Sequence, residues 1–399
     1  MDKVRIGVVG VGVIGDFHCR QILKDASPEF CLAAICDRNK DKAKAAKAAY
    51  SVPSFRDAQK MYESGLVDAV IIATPHYWHP PLTVRAARAG LHVMVEKPLA
   101  STVGPAKAAI AECRKRNVTL AAMLQHRARP IMQRIKQMVA SGEIGEVFRV
   151  SMICSNWFRT QAYYDSGAWR GTWDGEGGGV LINQGPHHLD LFVWIAGLPQ
   201  RVIGVLATRI HNIEVEDTAN FLCDYGGGKL GYIYATTAEL PGMEQFMICG
   251  DKATLVAEGN KLRIGRLQHG LRDFTMGSIT KLADEKVKND AAWTEEDFST
   301  NKGGQHIEVV RAFARHILRG EPLVATGEDS LGELELSNAM YLAGYKDRPI
   351  SLPVDDREID RLIAKLQKER STGKGEGIRS KATRDLRRLL AEAQAGHSG

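Results

Sequence analysis

Apolar positions along the first third of the chain follow two alternating periods. Residues 4–9 (Val-Arg-Ile-Gly-Val-Val) form an apolar run of strand length, glycines follow, and a helical pattern continues through Leu23. A second strand, 32–36, ends at Asp37. Helical stretches at 41–50, 56–63, 80–89 and 102–116 then alternate with apolar runs at 69–73, 92–95 and 119–123, and Gly90 closes one of the helices. Such alternation requires right-handed crossovers and a parallel sheet covered on both faces.

After about residue 125 the pattern changes. A helix at 130–141 ends in Gly142, and strand-like segments follow at 147–155, 201–208, 219–225, 229–237, 245–249 and 254–257. Turns such as Gly226-Gly227-Gly228 and Gly250-Asp251 join neighbouring segments, which favours antiparallel pairing. Residues 267–302 are polar and carry no clear period, and helices are expected at 305–319 and 330–343. Leu230, Tyr232 and Tyr234 alternate along one strand, and an open sheet with such a face suits a homodimer or homotetramer.

Composition narrows the class. Of 399 residues, 44% are apolar and 25% charged, the balance of a soluble globular protein. The formal charge is +6, and half of it comes from 371–399, where six basic residues face three acidic ones. No basic stripe remains elsewhere to carry nucleic-acid binding. The longest stretch without an acid or base, 69–84, holds two histidines and three prolines and fails as a membrane span. Seven cysteines, mostly inside apolar runs and without Cys-x-x-Cys spacing, together with the lack of a secretory leader, point to reduced thiols in the cytoplasm. His76, His79, His92, His187 and His188 fall on different segments without ligand spacing, so no metal is expected.

Gly10-Val11-Gly12-Val13-Ile14-Gly15 follows the first strand directly and opens a helix, and Asp37 lies 22 residues beyond Gly15 at the end of the second strand. Glycines there allow the tight turn and the approach of a pyrophosphate, while the helix N-terminus at Val13 and Ile14 offers N–H donors. A carboxylate at position 37 accepts from both ribose hydroxyls and repels a 2′-phosphate, which favours NAD over NADP; the adjacent Arg38 is the group that would serve NADP. Residues 1–124 thus read as a Rossmann dinucleotide-binding domain. Residues 125–370 read as an α+β domain for substrate binding and oligomerisation, with a large open, mainly antiparallel sheet. A basic extension covers 371–399, where Leu386, Leu389, Leu390 and Ala393 share one helical face.

Further motifs add a resemblance. Ala73-Thr74-Pro75 with His79, then Ala89-Gly90-Leu91-His92-Val93 leading to Glu96-Lys97-Pro98, and later the run from Gly177-Gly178-Gly179 through Asn183, Gly185-Pro186-His187-His188 and Asp190, resemble the signatures of the Gfo/Idh/MocA oxidoreductase family. The resemblance runs from about residue 4 to about 365. It implies that Thr74, Pro75, His79, Glu96 and Lys97 lie at the cofactor, and that Lys97, before a cis peptide at Pro98, touches the reacting oxygen. His187 matches the family's proton-transferring histidine, with His188 as a weaker substitute. Asn183 stands where the family usually has aspartate, and an amide orients a hydroxyl but exchanges no proton at neutral pH.

Residues 157–173 concentrate flat rings and donors: Trp157, Arg159, Tyr163, Tyr164, Trp169, Arg170 and Trp173. Aromatic faces suit the C–H surface of a sugar, and arginine and tyrosine donate to hydroxyls or a carboxylate. Gln125, with His126 and Arg127, is a further candidate for substrate contact. Together these residues point to an NAD-dependent oxidoreductase acting on a secondary alcohol of a sugar, glycoside or cyclitol. The alternatives are a redox-neutral, glycoside-cleaving enzyme that oxidises transiently, and a non-catalytic NAD-binding sensor or structural protein.

Overall fold

The computed structural model describes residues 2–277, 291–301 and 303–371. The 386–393 stretch and the rest of the extension beyond 371 lie outside the described residues. Among the described residues the chain forms two compact units, one of residues 2–129, 174–177 and 303–334, the other of 130–173, 178–277, 291–301 and 335–371.

In the first unit β1 (Val4–Val9), α1 (Val13–Asp25), β2 (Phe30–Cys36), α2 (Lys40–Tyr50), β3 (Ser54–Phe55), α3 (Ala58–Tyr62), β4 (Ala69–Ile72), α4 (His79–Arg88), β5 (His92–Val95), α5 (Val103–Lys115) and β6 (Leu120–Ala122) alternate as expected. The strands run in the order β3-β2-β1-β4-β5-β6, every pair parallel, which is the doubly wound arrangement of a Rossmann sheet. Local chemistry sets the helix starts. Asn39 accepts from the Asp41 and Lys42 amides to cap α2, and Asp57 accepts from the Gln59 amide to cap α3.

The second unit contains α6 (Pro130–Ala140), β7 (Val147–Cys154), α7 (Gln161–Asp165), α8 (Pro186–Ala196), β8 (Arg201–Ala207), β9 (Thr218–Asp224), β10 (Leu230–Thr236), β11 (Glu244–Gly250), β12 (Ala253–Glu258), β13 (Lys261–Leu267), α9 (Leu271–Gly277), β14 (Ala291–Asp297) and β15 (Ile350–Ser351). They build one sheet, β14-β13-β12-β11-β7-β10-β9-β8-β15, antiparallel throughout except for the β7–β10 pair. α8 covers β7, and Phe192 meets Phe246 edge-on beneath it. On the opposite face Ile203, Leu222 and Leu230 are exposed, beside half-buried Tyr232 and Tyr234. β13 runs up to, and β14 falls within, the polar stretch whose positions show no clear period. β13 alternates inward Leu262 and Ile264 with outward Lys261 and Arg263, whereas β14 is a polar edge strand with no apolar stripe to reveal it.

Helix α10 (His306–Arg319) was expected with the second domain, yet it packs on the first unit. Its Ile307, Val309, Val310, Phe313 and Ala314 join one buried cluster with Val4, Ile6 and Val8 of β1, Cys19 and Ile22 of α1, and Phe30 of β2. Arg311 pairs with Asp25, and Glu29 receives Arg315 at 3.0 Å and Arg319 at 2.8 Å. Helices α11 (Ser330–Lys346) and α12 (Asp356–Ser371) complete the described chain. No described helix is long and apolar enough to cross a membrane.

Candidate active site

The nucleotide turn of the first unit is built by exclusion. A Cβ on Gly15 would lie 1.8 Å from the Gly10 carbonyl oxygen, and one on Gly10, whose φ is +87°, would lie 2.8 Å from that of Ala73. Gly12, by contrast, faces open space, the surface a pyrophosphate needs. Val13 is 86% exposed at the first turn of α1, where a helix leaves its N–H groups without internal partners; Ile14 follows in the same turn. Asp37 Oδ2 accepts from the Val11 amide at 2.9 Å and Oδ1 from Asn39 at 2.8 Å, which fixes the carboxylate at the end of β2. The Arg38 guanidinium sits over the Trp78 ring at 5.4 Å. Thr74, just past β4 and ahead of Pro75, has a buried hydroxyl with no partner among the described residues. An open glycine, an oriented acid and an orphaned hydroxyl at the carboxyl ends of β1, β2 and β4 fit a dinucleotide.

Two residues expected at the cofactor make close contacts within the first unit. His79 is buried with its ring between the Pro98 and Thr74 carbonyls, each 2.7 Å away, and burial holds its pKa below the ordinary histidine value. Its ring ties two loops together. Glu96 is also buried and accepts from His18 Nε2 at 2.6 Å and from the Lys97 amide at 3.2 Å. Burial opposes the Glu96 charge, but the His18 hydrogen bond outweighs it and the carboxyl stays below its usual range. Lys97 follows directly, half-buried, and the Lys97–Pro98 peptide is cis. Gln125 is buried in a single 3-10 turn, and the neighbouring Arg127 pairs with Asp329 at 3.2 Å.

In the second unit Pro186 begins α8, where its missing N–H costs nothing, and His187 lies in the first turn. Successive residues on a helix point about 100° apart. His188 accordingly turns toward the sheet, where Nδ1 meets Cys154 Sγ at 3.2 Å and Nε2 meets Glu244 at 3.5 Å. Burial opposes its charge, but Cys154 and Glu244 raise its pKa to about 10.

The aromatic segment divides. Tyr164 is 4% exposed, bonds Thr237 Oγ1 at 2.9 Å and meets His211 edge-on, so it belongs to the core; Trp173 packs there too, against Tyr341 and Tyr345. Tyr163 is different. Its Oη accepts from Arg170 Nη1 at 2.5 Å, Asn183 Nδ2 at 3.2 Å and Gln184 Nε2 at 3.4 Å. Arg159 and Arg170 lie over its ring at 4.8 and 4.2 Å, and each also stacks on a tryptophan, Trp157 and Trp169 respectively.

Two buried acids escaped the sequence reading. Glu216 accepts from the Gly179 and Leu181 amides at 3.1 and 3.0 Å and from Tyr341 Oη at 2.7 Å, which clamps the segment leading to Asn183 and His187. A Cβ on Gly179 would lie 1.8 Å from the Glu216 carbonyl oxygen. Asp217 binds His211 Nδ1 at 2.9 Å, and His211 Nε2 reaches the Arg159 carbonyl at 2.8 Å. The available signal was an adjacent acid pair directly ahead of the strand that starts at Thr218. Burial pushes the Glu216 carboxyl up to about 7 against the pull of its donors. A folded-state pKa above the unfolded value of about 4.3 gives stability that is complete below about pH 4 and lost as pH rises through 7. Thermal melts of wild type and Glu216→Gln at pH 5 and pH 8 should show the wild type losing more on alkalinisation; equal losses would exclude the linkage.

Comparison with known proteins agrees with this geometry. Residues 4–124 match the model of an oxidoreductase family with an NAD-binding Rossmann fold, GFO_IDH_MocA, and residues 132–256 match the GFO/IDH/MocA C-terminal domain. Myo-inositol 2-dehydrogenase of Thermotoga maritima is 25% identical, over 88% of this chain and 98% of that enzyme. D-glucoside 3-dehydrogenase of Escherichia coli is 28% identical, over 85% and 94%. Among solved structures, the WlbA dehydrogenase of Bordetella pertussis in complex with NADH and UDP-GlcNAcA superposes with a TM-score of 0.74 at 28% identity, covering 88% of this chain and 100% of that one. Both halves of the molecule are thereby accounted for, and the chain belongs to the Gfo/Idh/MocA family of NAD-binding oxidoreductases.

Proposed function

We propose that this protein is an NAD-dependent dehydrogenase that exchanges a hydride with a secondary alcohol of a sugar, glycoside or cyclitol. The observation that carries the reading is the placement of Lys97 immediately after β5, on the same carboxyl edge of the parallel sheet as the Gly10–Gly15 turn and Thr74. Ligands of doubly wound sheets bind at that edge. The relatives named for inositol and glucoside oxidation support the substrate class.

When bound, NAD supplies the hydride acceptor. Gly10, Gly12 and the first turn of α1 hold its phosphates, Asp37 its ribose, and Thr74 lies along its path. Lys97 Nζ donates to the substrate oxygen and stabilises the negative charge that grows on it, while His187 takes the hydroxyl proton. Asn183 orients a hydroxyl. Mixing the enzyme with NAD and a panel of sugars, glycosides and cyclitols tests this: NADH should accumulate in proportion to alcohol consumed. Release of an aglycone without stoichiometric NADH would instead establish the redox-neutral route.

NAD rather than NADP follows from Asp37, whose fixed carboxylate repels a 2′-phosphate. Asp37→Ser should weaken NAD binding by about 1–3 kcal/mol in a fluorescence titration, since charge-assisted bonds to the ribose disappear; unchanged affinity would remove the assignment. A homodimer or homotetramer is part of the reading, and its surface is the face carrying Ile203, Leu222 and Leu230. Light scattering at micromolar concentration should report more than one chain, and a monomer would contradict it. The seven cysteines stand as thiols, five of them buried, which supports a cytoplasmic setting.

A further inference from the structure

Among the described residues no acid pairs with the arginines clustered around Tyr163. Arg170 gives one N–H to the Tyr163 oxygen, and Arg159 donates to the backbone carbonyls of Trp157 and Phe158. Arg159 Nε and Trp157 Nε1 are buried with no acceptor among the described residues. Neither Arg159 nor Arg170 has an ion-pair partner there, although both are half-buried. Other described arginines without an acid, such as Arg56, Arg149 and Arg263, are exposed, and water screens them. Asn183 and Gln184 add two more N–H groups aimed at the same phenol oxygen.

This cluster is held in place from behind. The Arg159 amide donates to Thr237 O at 3.0 Å, its carbonyl meets His211, and Asp217 anchors His211. Stacking on Tyr163 and on Trp157 or Trp169 fixes each guanidinium plane, and each group keeps N–H groups with no acceptor among the described residues. Two partly desolvated cations with surplus donors call for an anion, and a planar N–H edge matches the two coplanar oxygens of a carboxylate.

We propose that Arg159 and Arg170 form a carboxylate-binding site, so that the substrate is a sugar acid rather than a neutral sugar. The proposal rests on the carbohydrate reading above and narrows it. Tyr163 sets the spacing of the two guanidinium groups, and Trp157 and Trp169 offer ring faces to the sugar.

Calorimetric titration of the NADH-loaded full chain with matched probes tests it: D-glucuronate, D-glucuronamide and D-glucose; D-galacturonate and D-galactose; and D-glucose 6-phosphate. One acid should bind about tenfold tighter than its neutral counterparts, the loss expected when a charge-assisted pair is removed. Arg159→Gln and Arg170→Gln should each reduce that preference to about twofold or less while NADH affinity is retained, which reports that the variants fold. Acids binding no better than neutral sugars, a preference that survives both substitutions, or tighter binding of the phosphate would overturn the carboxylate site. NADH production from a neutral sugar without any acid preference would leave the dehydrogenase reading standing and remove this one. Failure of every probe to bind, with NADH binding intact, would remove both.

Discussion

Replacing Lys97 with methionine should lower turnover about 100-fold or more, close to 2.7 kcal/mol of transition-state stabilisation, while folding and NADH binding persist. Methionine keeps the length and much of the apolar stem of lysine, so packing changes little. What it removes is an ammonium group beside an oxygen that turns negative as its proton leaves and passes that charge on as the hydride departs. The Glu96–His18 pair remains in the variant and continues to hold the loop after β5, because neither partner depends on the lysine side chain. A K97M enzyme with turnover within tenfold of wild type would show that another group carries the alkoxide.

His187→Ala should lose a comparable factor, about 100-fold, and should also flatten the acidic limb of the pH–rate profile, since the group that takes the proton is gone. Asn183→Ala should be milder, about tenfold or less. Its amide donates to Tyr163 at 3.2 Å and can orient a hydroxyl, but it has no proton to exchange near neutrality. Steady-state kinetics of the two variants side by side decide the division of labour, which fails if they prove equally damaging.

The cofactor half of the site was legible because its determinants are local. The spacing of Gly10, Gly12, Gly15 and Asp37 lies within one strand-helix-strand unit whose periods are plain in the sequence. Side-chain direction was less accessible. His187 and His188 are neighbours with similar chemistry, and only the position of Cys154 and Glu244 on the sheet shows that His188 turns inward. Tyr163 and Tyr164 pose the same problem within a helix of five residues: Thr237, more than 70 positions away, claims Tyr164 and leaves Tyr163 to Arg170 and Asn183. His79 and Glu96 were expected at the ligand, but partners from distant segments, Pro98 and His18, take up their polar atoms. Glu216 and Asp217 were missed because a buried acid is visible in sequence only as an oddity, until the amides and hydroxyl that satisfy it are known.

The return of α10 to the first unit has a consequence for synthesis. The surface formed by Val4, Ile6, Cys19, Ile22 and Phe30 is sealed by Ile307, Val310 and Phe313, which leave the ribosome after all but the last strand of the second sheet has been translated. At about 5–20 residues per second the nucleotide-binding strands are complete roughly 10 to 40 s before their last cover arrives. During that interval an apolar surface waits open on a nascent chain, and Asp25 and Glu29 wait beside it for Arg311, Arg315 and Arg319. Biogenesis therefore includes a long-range closure late in the described chain, and the two units cannot mature strictly one after the other.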